Sequence, residues 1–163
     1  MRVTLATRLP CPADEAWAAV RRPALLEHVA WPLLRFVPLV PDRFPETWAE
    51  GDYRVALRLF GIVPLGTQHI VTSIAPDEPG DAGPRRTIRD DGRGTIARRW
   101  DHRISIAPAP GGGTDYVDVV DVEAGVLTPG VWLFAQLFYR WRQHRWRRLA
   151  AAGFTPLRRP RAR

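Results

Sequence analysis

The stretch TPGVWLFAQLFYRWRQHRWRRLAAAG, residues 128–153, constrains the fold more than any other part of the chain. It reads as one long helix with both ends marked. Thr128 is placed to cap the start, Pro129 suits the first helical position, where no amide donor is needed, and Gly153 supplies the stop with Pro156 just beyond it. At about 1.5 Å per residue such a helix spans roughly 36 Å, enough to cross a small domain. With about 100° between successive residues, Val131, Trp132, Ala135, Phe138, Tyr139, Arg142, Trp146 and Leu149 share one face. That face is broad, aromatic and apolar, and Arg142 alone interrupts it. A stripe of this kind packs on a sheet as core, yet its members are bulkier than a Leu/Val seam and suit the lid of a cavity. The back of the helix carries Leu133, Phe134, Leu137 and Trp141 in its first half and Arg140, Arg145, Arg147 and Arg148 in its second. The apolar half calls for a cover, by loops or by a second subunit in a homodimer, or else it remains a surface patch.

Ahead of this helix, residues 2–9 alternate Val3, Leu5, Thr7 and Leu9 with Arg2, Thr4, Ala6 and Arg8, the pattern of a half-buried strand. Pro12 opens a short helix over 13–20, with Asp14 and Glu15 in the first turn where the helix dipole favours acids. Pro23 begins a second short helix that Pro32 ends. Residues 32–46 hold Pro32, Pro38, Pro41 and Pro45 and predict an irregular arm, 47–50 a short strand, and Gly51-Asp52 a turn. Period-2 segments follow at 53–60, 67–76, 85–91, 95–106 and 114–124, linked by 61–66, 77–84, a turn at 92–94, and 107–113. Such spacing predicts an antiparallel meander. The order is strand, two short helices, about six strands, long helix: an α+β chain.

The 163 residues suffice for one domain with a sizeable core, and a hydrophobic content of 45% supports a globular protein. Lysine is absent, so all 24 basic residues are arginine, which with the abundant Ala, Pro and Gly has the look of a GC-rich coding bias. The placement of charge says more. Nine arginines and no acid lie between Arg140 and Arg163, while the rest of the chain is close to neutral. A basic helix end and tail fits a solvated surface, or contact with the phosphates of a membrane or nucleic acid. A single cysteine, Cys11, excludes a disulfide framework and a thiolate metal site. No metal or cofactor is called for. The histidines lack metal-type spacing, the glycines at 92–94 and 111–113 lack the Lys and helix of a phosphate loop, and Ser73 and Ser105 build no hydroxyl triad. Residues 1–17 lack the apolar core of a signal peptide and the run 125–139 is too short to span a bilayer, so a cytoplasmic protein is expected.

The alternating first strand followed by PADEAWAAV and a second short helix, the WAEGDY turn, and the aromatic helix ending YRWRQHRWRRL resemble the START-like, helix-grip superfamily (SRPBCC, birch-pollen-allergen-like and polyketide cyclase/dehydrase-like proteins). The resemblance covers roughly residues 2–152. It implies a helix-grip fold, in which a curved antiparallel sheet of about six or seven strands wraps around the C-terminal helix. It also implies a ligand-binding domain over 1–152 followed by a basic tail, 153–163, and a cavity for hydrophobic ligands between sheet and helix. Members of the superfamily range from lipid carriers to aromatase/cyclases, so no single catalytic motif carries over.

If Ile106 pairs with Thr114, residues facing each other on the last two strands have numbers that sum to 220, and directly opposed residues share a face. Ile96, Arg98, Trp100, His102, Ile104 and Ile106 then stand with Tyr116, Asp118, Val120 and Val122 on the inward side, with His102 opposite Asp118. An inward His–Asp pair orients an imidazole as a general acid/base or ligand contact, or simply sets the register. Arg142 faces the same interior, where a buried guanidinium requires a carboxylate, from Asp118, Asp90 or Asp91 or from a ligand. The candidate ligand contacts are Val55, Leu57, Trp100, Phe138 and Tyr139 on the walls, with His69, Arg98, His102, Tyr116, Asp118 and Arg142 as the polar set. His102 and Asp118 are also the catalytic candidates. Three functions are open: binding of a hydrophobic lipid, acyl or aromatic, polyketide-like small molecule; a cyclase/aromatase-like activity with His102 moving protons; and attachment of the Arg/Trp-rich helix end to a membrane or nucleic acid.

Overall fold

A computed structural model describes residues 1–158. The chain runs β1 (Arg2–Leu9), α1 (Ala13–Val20), α2 (Pro23–Ala30), β2 (Leu34–Val40), β3 (Gly51–Leu59), β4 (Val63–Ile74), β5 (Arg86–Gly94), β6 (Arg99–Pro108) and β7 (Thr114–Glu123). A 3₁₀ turn (Gly125–Leu127), the long helix α3 (Thr128–Ala151) and a last turn of helix, α4 (Thr155–Arg158), follow. The strands form one antiparallel, curved sheet in the order β1-β7-β6-β5-β4-β3-β2. β1 and β2 are therefore opposite edges, and α1 and α2 carry the chain across the concave face between them. This is a helix-grip fold, with α3 held in the curve of the sheet.

Polar groups fix α3 in place. Trp132 donates its indole N–H to the Arg2 carbonyl at 2.8 Å, Trp141 to the Trp31 carbonyl at 3.2 Å, and the Gln143 amide to the Leu5 carbonyl at 3.0 Å. The helix thereby spans from β1 to the end of α2. Its buried side comprises Ala135, Phe138, Tyr139, Arg142, Gln143, Trp146, Leu149 and Ala150: Gln143 and Ala150 join the expected face, while Val131 and Trp132 at its start are only half-buried. Leu133 and Leu137 stand 56% and 62% exposed on its back. Thr128 lies within the helix instead of capping it. Its hydroxyl accepts the Ala124 N–H at 2.9 Å and donates to the Gly125 carbonyl at 2.7 Å, tying the 3₁₀ turn to the helix. Gly153 does end α3, with φ of 59°. The chain then turns back, and Phe154 and Leu157 are buried in the main core. The rest of the basic tail, including Arg159, Arg161 and Arg163, lies outside the described residues.

Several segments differ from their sequence pattern, and Gly51 and Asp52 begin β3 instead of forming a turn. Residues 34–40 form β2, not an irregular arm, because an edge strand tolerates Pro38: only one flank is paired, and the ladder shifts register between Pro38 and Val40. Residues 47–50 form no strand. There the burial of Trp48 decides, edge-on to Phe44 at 5.3 Å and Tyr53 at 4.9 Å, with its amide donating to the Arg21 carbonyl at 2.7 Å. Residues 92–94 belong to β5 and the chain turns at 95–98, while β4 starts at Val63 because Phe60 and Gly61, with φ of 52° and 77°, turn tightly after β3.

The convex face of the sheet meets solvent. There Asp101 sits directly between Asp91 and Asp121 on the neighbouring strands, a row of like charges that would repel. Arginines on the diagonals neutralise it: Arg89 grips Asp101 with two bonds of 2.8 and 2.9 Å, Arg99 adds one of 2.9 Å, and Arg103 and Arg2 hold Asp121 at 3.2 and 2.8 Å. The bonds from Arg89 in particular hold the Asp101 carboxyl down at about 2. A lowered carboxyl contributes stability above its unfolded value near 3.8 and loses it as pH falls through about 2. Asp101→Asn is therefore expected to cost about 1–2 kcal/mol at neutral pH. The cost should shrink as pH falls below about 4, measured by denaturant unfolding of both proteins across that range.

Candidate functional site

The inner faces of the strands and the inner face of α3 do not meet everywhere. Between them lies a cavity of about 320 Å³. Alternation along the strands supplies its walls: Leu57 and Leu59 from β3, Gln68, Ile70 and Thr72 from β4, Ile88 and Asp90 from β5, and Trp100, His102 and Ile104 from β6. Val131, Phe134, Phe138, Tyr139 and Arg142 of α3 close it. It reaches the surface beside Gly130 and Ile96, and Ile96 is 39% exposed. The large rings on α3 act as spacers. Phe134 and Phe138 stack at 5.6 Å, and the Tyr139 hydroxyl accepts the Trp100 indole N–H at 3.1 Å, which bridges helix to sheet across the gap.

Behind one wall is a buried polar cluster. Asp118, fully buried, accepts the Tyr116 hydroxyl at 2.8 Å and His102 Nε2 at 2.7 Å on one oxygen, and the Gln143 amide at 2.9 Å on the other. His102 and Asp118 do meet, but not face to face. Paired residues on β6 and β7 sum to 222, so His102 opposes Val120 and Asp118 opposes Ile104. The β6–β7 loop is tighter than expected, with Pro108↔Thr114 as the last pair. A shift of two keeps both side chains on the same face, and the imidazole reaches its partner along the diagonal.

The charge states follow from the surroundings. Burial pushes the Asp118 carboxyl up, but the bonds from His102 and Gln143 and the nearby Arg142 charge prevail and hold it below its ordinary value. It is ionised and can only accept. Burial lowers His102 against the pull of Asp118, so the ring is neutral at pH 7. Nε2 carries the proton given to Asp118, and the Nδ1 lone pair is left over.

Arg142 is 4% exposed and stands on the cavity wall. Among the described residues it makes no ion pair with Asp118, Asp90, Asp91 or any other acid, contrary to the expectation of an internal partner. Asp91 is on the convex face with Arg89 at 3.3 Å, and Asp118 already accepts three other donors. The guanidinium instead lies over the rings of Tyr139 at 4.9 Å and Phe138 at 5.8 Å, and its Nε is buried with no hydrogen-bond partner.

Asp90 is the acid nearest to being free. The β4–β5 ladder opens between His69↔Arg93 and Thr72↔Asp90, and Asp90 Oδ1 patches the gap by accepting the Val71 N–H at 2.8 Å. Gly92 makes the room: a Cβ there would lie 2.8 Å from the His69 carbonyl, 2.9 Å from the Gln68 amide and 3.0 Å from Asp90. Burial pushes the Asp90 carboxyl up to about 7, against the pull of the Val71 N–H and Arg142.

Of the residues singled out in the sequence, Leu57, Trp100, His102, Phe138, Tyr139 and Arg142 share the cavity wall. Tyr116 and Asp118 stand one layer behind His102. Val55 is wholly buried in the main core and not on the wall. His69 points to the convex face, where Nδ1 meets Asp52 at 2.8 Å, because the inward positions of β4 are the even ones, Gln68, Ile70 and Thr72. Arg98 lies in the β5–β6 turn, exposed, with Glu123 at 3.2 Å. Gln68, Thr72 and Gln143 carried no signal beyond being polar at inward positions. Among the described residues no three His, Cys, Asp or Glu side chains gather as metal ligands, and no helix is long and apolar enough to cross a membrane.

Residues 7–152 match the family described as a domain of unknown function, DUF8410. The chain belongs to that family. No curated protein matches it. Solved structures share the fold at low identity. The Zhui aromatase/cyclase from Streptomyces sp. R1128 is 11% identical with a TM-score of 0.63, over 93% of each chain. A START superfamily protein from Mycobacterium smegmatis is 13% identical with a TM-score of 0.58, over 93% of this chain and 97% of that one. Protein CV1439 from Chromobacterium violaceum is 16% identical with a TM-score of 0.62, over 91% and 96%. These likenesses show that the chain has a START-like fold.

The raised Asp90 carboxyl carries a sign for stability. The folded chain holds this proton more firmly than the unfolded one, so the contribution is complete below about 3.8 and is lost as pH rises through about 7. Asp90→Asn keeps an acceptor for the Val71 N–H and removes the titration. Its Tm relative to the parent is expected to rise by a few degrees between about pH 5 and about pH 8, by calorimetry. A difference that stays flat over that range would mean that Asp90 titrates as in an unfolded chain.

Proposed function

We propose, with membership of this family and the helix-grip fold as premises, that the protein binds a hydrophobic small molecule in the cavity between its sheet and α3. The observation that carries this is the cavity itself. Protein interiors close to crystal density when nothing prevents it, whereas here the Phe134, Phe138, Tyr139 and Trp100 rings hold α3 away from β3–β6. The wall is mostly aliphatic and aromatic, with a few polar groups converging at one end, which is the make-up of a small-molecule site. The ligand-binding body is the domain foreseen over residues 1–152, completed by the packing of Phe154 and Leu157. The third function, attachment through the helix end, is less favoured: Trp146 is fully buried and the Trp141 indole is tied to Trp31. The test is a panel of apolar acyl and aromatic probes. Those that fit are expected to raise Tm by a few degrees at saturation, and no shift from any of them would identify a filled core.

A second reading, proton-transfer chemistry of the aromatase/cyclase kind, is supported by one observation: Asp118 fixes the His102 ring with Nε2 protonated, and the ring stands on the cavity wall. With polyketide-like substrates, His102→Ala is then expected to lower turnover by about 10²–10⁴-fold while ligand binding is retained. Equal loss of binding and turnover would return His102 to a structural role.

A further inference from the structure

We infer that the ligand of this cavity is a monoanionic carboxylate with an apolar body, its acid group seated against Arg142 and its body extending toward Gly130 and Ile96. This rests on the cavity reading above and adds the charge, size and direction of the ligand.

The first step is the state of Arg142. A buried guanidinium nitrogen left without an acceptor is among the costlier features a fold can carry; the Arg142 Nε is one, and the acids around it are committed elsewhere. Both oxygens of Asp118 are taken by Tyr116, His102 and Gln143. Asp90 gives Oδ1 to the Val71 N–H, and burial pushes its carboxyl up to about 7. What Arg142 meets directly is two aromatic rings, and its Nε meets no acceptor. A carboxylate offers the planar pair of oxygens that a guanidinium matches.

The second step selects among anions. A phosphate dianion needs more than one cation, and the wall offers one: the other arginine at its edge, Arg89, is turned outward onto Asp101. Asp118 and Asp90 close by make a second negative charge still less welcome. A single carboxylate is the anion this site balances.

The third step is size and direction. A cavity of about 150 Å³ holds one benzene, so about 320 Å³ takes on the order of a dozen non-hydrogen atoms. Arg142 lies about 18 Å along α3 from Gly130, and the Phe138, Phe134 and Val131 side chains line the way between them. The apolar body follows that path, and the charged head lies at the deep end, beside His102.

The experiment uses the full chain freed of co-purified small molecules, with titration calorimetry at pH 7. Two matched pairs serve as probes: decanoate with decanol, and 2-naphthoate with 2-naphthalenemethanol. The carboxylate of at least one pair is expected to bind about ten- to a hundredfold more tightly than its alcohol. In Arg142→Met that preference should fall to about twofold or less while alcohol binding persists, and Arg142→Gln serves if the Met variant does not fold. The tighter pair distinguishes an acyl from an aryl source of the carboxylate. Equal binding of acid and alcohol by the parent, or a preference that survives loss of Arg142, overturns the inference and leaves the cavity reading intact. Binding of no probe at all removes both.

Discussion

A carboxylate at zero exposure must be met by donors, and the way Asp118 meets this demand fixes the geometry of the rest. Its donors come from three elements: Tyr116 from its own strand, His102 from β6 and Gln143 from α3. The Gln143 amide also reaches the Leu5 carbonyl on β1, so one side chain joins the helix to two adjacent strands. This pins α3 in rotation and depth in its C-terminal half. Removing one donor would leave a buried charge underpaired, at a cost of about 3–5 kcal/mol, which is why a polar cluster can dictate where an otherwise greasy helix lies.

The cavity is a consequence of that pin. On one side of Arg142 and Gln143, Ala135, Phe138 and Tyr139 pack with Val3, Leu34, Val120 and Val122; on the other, Trp146, Leu149 and Ala150 pack with Leu9, Val55, Ile106 and Tyr116. Members of both clusters, Ile70, Ile88 and Ile104 from one and Leu34, Phe138 and Tyr139 from the other, also line the cavity. The convex Arg–Asp network lets the sheet leave one face to water, which spares the concave face for α3.

Much of this was legible in the chain. A helix with marked ends and one aromatic face, a strand–helix–helix opening and closely spaced period-2 segments determine the architecture, and the wheel placed Phe138, Tyr139 and Arg142 inward because a helical face is set by rotation alone. Strand positions were harder for a definite reason: with period 2, one residue of uncertainty exchanges the two faces. The face of His69 was open, and the structure turns it to the convex side, while a register two residues off between β6 and β7 leaves His102 and Asp118 on the same side and still within reach. Pro38 argued against a strand because nothing local reveals that residues 34–40 lie at an edge. Arg98 was read as strand because the turn at 95–98 has no glycine of its own. Gln143 and Asp90 depend on partners far away in sequence, so no local pattern marks them.

Arg142 breaks the local rule that every other member of its stripe obeys. Replacing buried ions by apolar side chains of similar volume is often neutral or stabilising, and the neighbours Phe138, Tyr139 and Trp146 show that this face accommodates large apolar groups. Within the folded chain the gain from two ring faces, each worth about 0.5–2 kcal/mol, does not match the cost of stripping a guanidinium of water, which is several kcal/mol. Asp118 offsets part of this through space, but its oxygens point to other donors. A position that stability alone would fill with Leu or Met therefore holds a cation whose Nε finds no acceptor among the described residues. Residues that violate local consistency without internal repayment are where folds carry function, and here that residue stands at the deep end of an apolar cavity.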